Sequence, residues 1–219
     1  MLKFLDQQRS DEALLRRCAS RLDRDAFAVV YERHRQNFYQ FLLKLSADPR
    51  IAEDVSQQCW LKLLESFAGT PVYQPSKHAR FTTFLYTLGR NLYIDQFVRR
   101  HDHSRCQSFE HTPAAQNRHA EHCVQRNTHE QQLEQHTTSA LRQLPVEQRE
   151  VVSLWACGFS ARSIADIAGV PVNTVHSRKR YAIARLRELF AQSGLLDSVP
   201  PCNNAPLKAL KNAVAGQTR

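Results

Sequence analysis

The sequence predicts an all-α fold of two small helical domains joined by a flexible linker, and three observations point there. Apolar residues recur at three- and four-residue steps over most of the chain, the period of a helix with one buried face. No stretch alternates apolar and polar residues between turn signals, so strands are not expected. A polar bridge at residues 101–137 separates two basic blocks. It holds seven of the ten histidines and few large apolar residues, too little to offset its ordering entropy.

Composition narrows the class before any motif does. The 219 residues carry 30 Lys+Arg against 21 Asp+Glu, a net charge of +9 that calls for an anionic partner. Six glycines and no long apolar stretch leave little room for a glycine-rich phosphate cradle and exclude a transporter. The start turns polar within six residues, too soon for a secretory signal, so a cytoplasmic protein is expected. Cys18, Cys59, Cys106, Cys123, Cys157 and Cys202 are scattered without a CxxC pair and read as reduced thiols.

Taken in order, the first block (residues 1–100) should form helices over residues 11–20, 24–46, 50–67 and 79–100, broken at Asp48-Pro49 and Gly69-Thr70-Pro71. On the wheel of residues 53–67, Val55, Cys59, Trp60, Leu63, Leu64 and Phe67 make an apolar arc. Leu61 falls instead among Asp54, Gln57, Gln58 and Glu65, either a knob for a protein partner to grip or one of the lone exposed leucines common on any surface. The next helix buries Phe81, Phe84, Leu85, Leu88 and Leu92. Its other side aligns Tyr86, Arg90, Tyr93, Phe97 and Arg100, which suits unpaired bases and their backbone, and equally a second packing face in a bundle. Asp95 and Arg99, four apart, read as a helix-stabilising ion pair.

The bridge, residues 101–137, reads as a linker with some helix near its end. His101, His103, Cys106, His111, His119, His122 and Cys123 offer imidazole and thiolate groups, but no compact four-ligand motif is present, and no metal or cofactor is assigned. The second block (residues 138–192) should form helices over 138–143, 147–157, 160–168 and 171–191, with breaks at Pro145, Gly158 and Gly169. The tail, residues 193–219, reads as loose apart from a short turn at 207–214.

Residues 160–191 have the layout of two helices joined by the tight turn Gly169-Val170-Pro171. The second helix puts Val175, Ala182, Leu186 and Phe190 on one side and Asn173, His176, Ser177, Arg180 and Arg187 on the other. From Arg178 to Arg187 lie five basic residues and no acid, with an amide, an imidazole and a hydroxyl near the helix start, where a major-groove helix meets base edges. A solvated basic face on a plain bundle is the bland alternative.

On these residues the chain resembles the extracytoplasmic-function (ECF) sigma factors. Residues 141–189, with the Leu144-Pro145 pair and Thr174-Val175-His176-Ser177-Arg178, resemble the promoter-reading region four. Residues 25–100 resemble region two through Asp25-Ala26-Phe27, Tyr31, Ala52-Glu53-Asp54-Val55 with Gln57, and Phe84-Leu85-Tyr86 through Arg90-Asn91 to Arg99-Arg100. There are departures: Ser163 stands where the family usually has an acid, Asn173 where glycine is frequent, His176 where lysine is frequent, and Lys179 where an apolar residue is usual. Phe84 replaces the usual tryptophan of the strand-opening helix.

The resemblance implies that Asp54, Gln57, Gln58 and Leu61 contact the clamp helices of the largest subunits of core RNA polymerase. It implies that Lys77, Arg90, Asn91, Tyr93, Arg99 and Arg100 serve minus-ten recognition and melting, with the loop 66–80, bearing Tyr73 and His78, near a flipped promoter base. Asn173, Thr174, His176, Ser177, Arg178, Lys179 and Arg180 then read the minus-thirty-five element of promoter DNA. The expected function is a sigma factor that directs core polymerase to promoters and assists melting, with an anti-sigma factor admitted as a further partner. The alternative is a stand-alone helix-turn-helix repressor or activator. An enzyme is not expected, because no nucleophile has a base beside it in the pattern.

Overall fold

Asp23, Asp48 and Ser160 each start a helix by accepting amides that its first turn leaves free. The computed structural model describes residues 9–21, 23–67, 73, 80–98 and 128–192, and these caps open three of the eight α-helices found among them. The N-terminal half holds α1 (Asp11–Arg21), α2 (Arg24–Ser46), α3 (Pro49–Ser66) and α4 (Phe81–Tyr93), the last continued by a π-helical segment, Ile94–Val98. The C-terminal half holds α5 (Thr128–Arg142), α6 (Val146–Ala156), α7 (Ala161–Ala168) and α8 (Val172–Gln192). No strand occurs among the described residues, and the fold is all-α.

Two boundaries differ from expectation. The helix expected over 138–143 is the end of α5, which starts far earlier and runs through the expected edge of the linker at 137. Its early turns are rich in glutamine and glutamate, good helix formers whose polarity reads as linker. The helix expected over 79–100 loses its α pitch at Ile94. Lys77, His78, Arg99 and Arg100, the expected Asp95–Arg99 pair, the bridge up to residue 127 with its histidines, and the tail from residue 193 lie outside the described residues.

The N-terminal core is aromatic. Phe38, Phe41, Leu42, Leu45, Val55, Leu63, Phe81 and Leu85 are buried, each such side chain contributing on the order of 1.5–3 kcal/mol. Trp60 takes the edges of Phe27, Tyr31 and Phe38 at centroid distances of 6.2, 5.0 and 5.9 Å. The corner between α2 and α3 turns on Ala47, whose φ of 55° is left-handed and costs a non-glycine residue about 1 kcal/mol. Local bonds hold it there. The Ala47 amide donates to the Leu43 carbonyl at 2.8 Å, the Asp48 amide donates to Ser46 Oγ at 3.2 Å, and Asp48 Oδ1 accepts the Arg50 amide at 2.9 Å.

In the C-terminal half Gly169 (φ 66°) makes the left-handed turn between α7 and α8 that a side chain would oppose. Ser160 Oγ accepts the Ser163 amide at 3.1 Å, and the Ser163 hydroxyl meets it at 3.0 Å. Only the forward half of a capping box is made: the Ser163 hydroxyl meets the Ser160 hydroxyl, not the Ser160 amide that an acid at this position would accept. Leu141, Leu144, Val152, Ala182, Leu186 and Phe190 form a second core.

The two halves are packed together. α4 lies against α7 and α2 against α6, and Val151, Leu154, Ile164, Ile167 and Val175 join the N-terminal core. Nothing in the polar bridge announces this contact.

α1 is clasped to α2 through one carboxylate. Asp11 accepts Arg33 Nη1 and His34 Nε2, each at 2.7 Å. Burial alone pushes the Asp11 carboxyl up, but the His34 and Arg33 bonds outweigh it and hold the group below its ordinary value. The folded form therefore binds the Asp11 proton less tightly than the unfolded chain does. The clasp stabilises fully above the ordinary aspartate range and is lost as pH falls through the lowered value. Asp11→Asn should lower stability by about 1 kcal/mol at neutral pH, with the gap from the parent closing as pH falls below the ordinary aspartate range. Urea melts across pH check this, and a gap that persists in acid contradicts it.

Candidate functional site

Three surfaces carry the expected residues. The first is an open apolar groove of about 390 Å³ between α2 and α3, lined by Phe27, Ala28, Tyr31, Ser56, Gln57, Trp60, Leu61 and Leu64. Leu61 is 55% exposed, as its place on the wheel predicts. Leu64, expected in the buried arc, is 44% exposed, because the groove opens beside it instead of a packing helix. Asp54 and Gln57 stand exposed on the same helix. Gln58 is only half-buried and accepts Gln96 Nε2 at 2.6 Å, which ties α3 to the π-helical segment.

The second surface is α8. Val175, Ala182, Leu186 and Phe190 are buried, while Asn173, His176, Arg180 and Arg187 are exposed. Thr174 and Ser177 lie between the two sides, with Ser177 Oγ donating to the Thr174 carbonyl at 3.0 Å. Arg178 is half-buried, close enough to Glu150 to act on its charge. Lys179, where the family usually has an apolar residue, is half-buried, and its ammonium sits 3.9 Å from the centre of the Trp155 ring. Arg180 lies 5.2 Å from the ring of Tyr181, which is 57% exposed, so the outward face of α8 is cationic and aromatic together.

The third surface is the outer side of α4, and here the structure adds what the pattern left open. Asn91 is exposed, but Tyr86 and Tyr93 are buried and Arg90 is half-buried, because α6 and the turn before α7 cover this face. Arg90 Nε donates to Glu150 Oε1 at 2.6 Å, and Arg149 Nη2 donates to the Tyr93 hydroxyl at 3.4 Å. The Phe159 ring meets Tyr86 edge-on at 4.7 Å. Phe97 stacks on Tyr93 at 6.1 Å. Burial pushes the Glu150 carboxyl up, and Arg90 offsets only part of that. Burial likewise raises the Tyr86 and Tyr93 hydroxyls. Tyr73 packs between Phe81 and Phe84, at 5.4 and 5.0 Å.

Arg149, Glu150 and Phe159 were not among the expected site residues. Their signal was present: residues 146–156 carry apolar side chains on nearly every side, the mark of a helix covered twice. The thiols of Cys18, Cys59 and Cys157 are pushed up to about 11, 12 and 11 by burial, so all three are protonated and poorly reactive. No group of three or more metal-ligating side chains occurs among the described residues, and none of their helices is long and apolar enough to cross a membrane.

An aromatic-cored helical unit with an open apolar groove is followed by a helix-turn-helix with a basic outer face, a docking surface joined to a helix built to meet DNA. The profile of sigma-70 region 2 matches residues 30–103 and that of sigma-70 region 4 matches residues 137–186, together more than half of the chain. The RNA polymerase sigma factor CarQ of Myxococcus xanthus is 25% identical over 178 residues, covering 77% of this chain and 91% of CarQ. The ECF RNA polymerase sigma factor SigE of Mycolicibacterium smegmatis is 28% identical over 168 residues, covering 74% of this chain and 61% of SigE. The sigma factor RpoE of Bartonella quintana, solved with the anti-sigma factor NepR, superposes with a TM-score of 0.53 at 25% identity, over 70% of this chain and 89% of RpoE. CnrH, solved with the cytosolic domain of CnrY, shares the fold with a TM-score of 0.55 at 22% identity, over 87% and 99%. The chain belongs to the ECF sigma factors: it binds core RNA polymerase and directs it to promoters.

Proposed function

We propose the division of that task along the chain. Residues 1–100 clasp core polymerase and open the minus-ten element, residues 138–192 read the minus-thirty-five element, and residues 101–137 connect them. The single observation that carries the assignment is the two-sidedness of α8, apolar toward the core and cationic outward, with its N-terminal turns exposed. Asn173, His176 and Arg180 meet base edges, while Thr174, Ser177, Arg178 and Lys179 contact the backbone. Leu61, with Asp54, Gln57 and Gln58 around it, seats the clamp helices of the largest polymerase subunits. Arg90, Asn91, Tyr93 and, beyond the described residues, Lys77, Arg99 and Arg100 border the non-template strand. Phosphodiester chemistry stays with the polymerase, and the chain works in the cytoplasm, where polymerase and chromosome meet. The capture of RpoE by NepR supports an anti-sigma factor as a partner here too.

Run-off transcription on genomic fragments with purified core enzyme tests the proposal, and a holoenzyme that initiates nowhere sinks it. Within it, Arg180→Ala should lose about 1–3 kcal/mol on the cognate promoter and little on scrambled DNA. Arg178→Ala should weaken both alike and flatten the salt dependence. Equal losses on both DNAs for both variants contradict the split between base and phosphate contacts.

A further inference from the structure

The strand-opening helix changes pitch where it ends. α4 gives way at Ile94 to five residues of π-helix, a wider turn that is rare and frequent at functional sites. The Ile94 amide is shared there between the Arg90 and Asn91 carbonyls, so the backbone alone fixes the new pitch weakly. Burial adds little, since Ile94, Gln96, Phe97 and Val98 are half-buried and Asp95 is exposed. A polar bond reaches the segment from α3: Gln96 Nε2 donates to Gln58 Oε1 at 2.6 Å, across 38 residues of chain. Gln58 stands one turn ahead of Leu61, on the helix proposed to seat polymerase. Gln96 belongs to none of the polymerase- or DNA-contacting sets. We propose that Gln96 is a positioning residue for promoter opening: its bond to Gln58 fixes the end of α4 against α3 and so holds Phe97, and through it Tyr93, for the unpaired strand. This rests on the sigma-factor reading and adds a residue to it.

Ordering two long amide side chains has an entropic cost that a solvent-exposed pair does not recover. This pair lies partly out of water, where the bond is stronger and an unmet amide is unfavourable. Breaking it leaves the π segment free to relax toward the α pitch that precedes it. Phe97 stacks on Tyr93 at 6.1 Å with the ring planes 22° apart, and a change of pitch between them turns one ring away from the other. Tyr93 is the group assigned to the non-template strand, so the bond acts on DNA through it. The direction of the bond is exchangeable, because either amide can turn its NH2 toward the other's oxygen. What the position needs is a polar group of glutamine length.

Gln96→Met and Gln96→Glu test this in holoenzyme reconstituted from core polymerase and the full-length chain, on a promoter taken from the run-off assay. Gln96→Met keeps the length and helix propensity of glutamine and removes the bond. It should lower the open fraction, read as permanganate reactivity of minus-ten thymines, by about fivefold, with core affinity and thermal melt unchanged. Gln96→Glu keeps a bond, because the Gln58 amide can donate to the carboxylate, and should open as the parent does although its charge opposes DNA. A side chain that touched DNA directly would rank the two the other way, with Gln96→Glu the worse. Should Gln96→Met lose its cooperative melt, Gln96→Ala carries the same comparison. Parent-like opening by Gln96→Met, Gln96→Glu falling below it, a loss of core affinity, or unfolding of both uncharged variants overturns the proposal, while a transcribing parent holoenzyme leaves the sigma-factor reading in place. A parent holoenzyme that initiates nowhere removes both.

Discussion

Gly89→Val should lower the unfolding free energy by about 3 kcal/mol, as a urea midpoint shift with little change in slope. Gly89 lies where α4 crosses α2. A Cβ built there would sit 2.6 Å from Phe38 Cζ, 2.8 Å from Phe38 Cε2 and 3.3 Å from Leu42 Cδ2. The ring cannot retreat: Phe38 is fully buried, with Trp60 edge-on at 5.9 Å and Tyr86 at 5.5 Å. A methyl group must therefore push α4 off α2. For Gly89→Ala the improved helix propensity, about 1 kcal/mol, offsets part of the strain, so that variant should be milder. The same shift would carry Tyr86 and Arg90 with it, so promoter opening should fall alongside stability. A Gly89→Val protein that melts like the parent would show that the crossing is looser than drawn.

Leu61→Lys should weaken assembly with core polymerase by roughly 30-fold or more, the loss of one central apolar anchor worth about 2 kcal/mol. Leu61 and Leu64 flank a groove floored by Trp60, Phe27 and Tyr31 and edged by Gln57, an apolar centre within a polar rim. Lysine has nearly the helix propensity of leucine, and the position is more than half exposed, so the fold should not notice. Surface binding kinetics with core enzyme, set beside a thermal melt, separates the two effects. Intact assembly with an unchanged melt would move the polymerase contact away from this groove.

Much of this was legible in the residues. Helix starts at Asp23, Asp48 and Ser160 follow from short polar side chains ahead of apolar periodicity, and the sidedness of α8 follows from a wheel. Lys179 stands where the family usually has an apolar residue, and the structure adds the Trp155 ring that its ammonium rests on. What covers a face is a different matter. Tyr86, Arg90 and Tyr93 present rings and a guanidinium, which suit unpaired bases and protein partners equally, so periodicity could not choose between them. The Arg90–Glu150 pair joins residues sixty apart, and no local pattern encodes it. Leu64 reads as buried because a wheel knows the apolar side of a helix, not where its neighbour stops. The pitch change at Ile94 left no mark in Ile94-Asp95-Gln96-Phe97-Val98 that periodicity detects.

The corner at Ala47 bears on how fast a holoenzyme can form. With the turn pinned at Leu43, Ser46 and Asp48, the hairpin of α2 and α3, the seat proposed for the polymerase clamp helices, is already in shape, and little conformational freedom is left there to surrender on docking. Capture at this hairpin should then be governed by collision and orientation rather than by refolding.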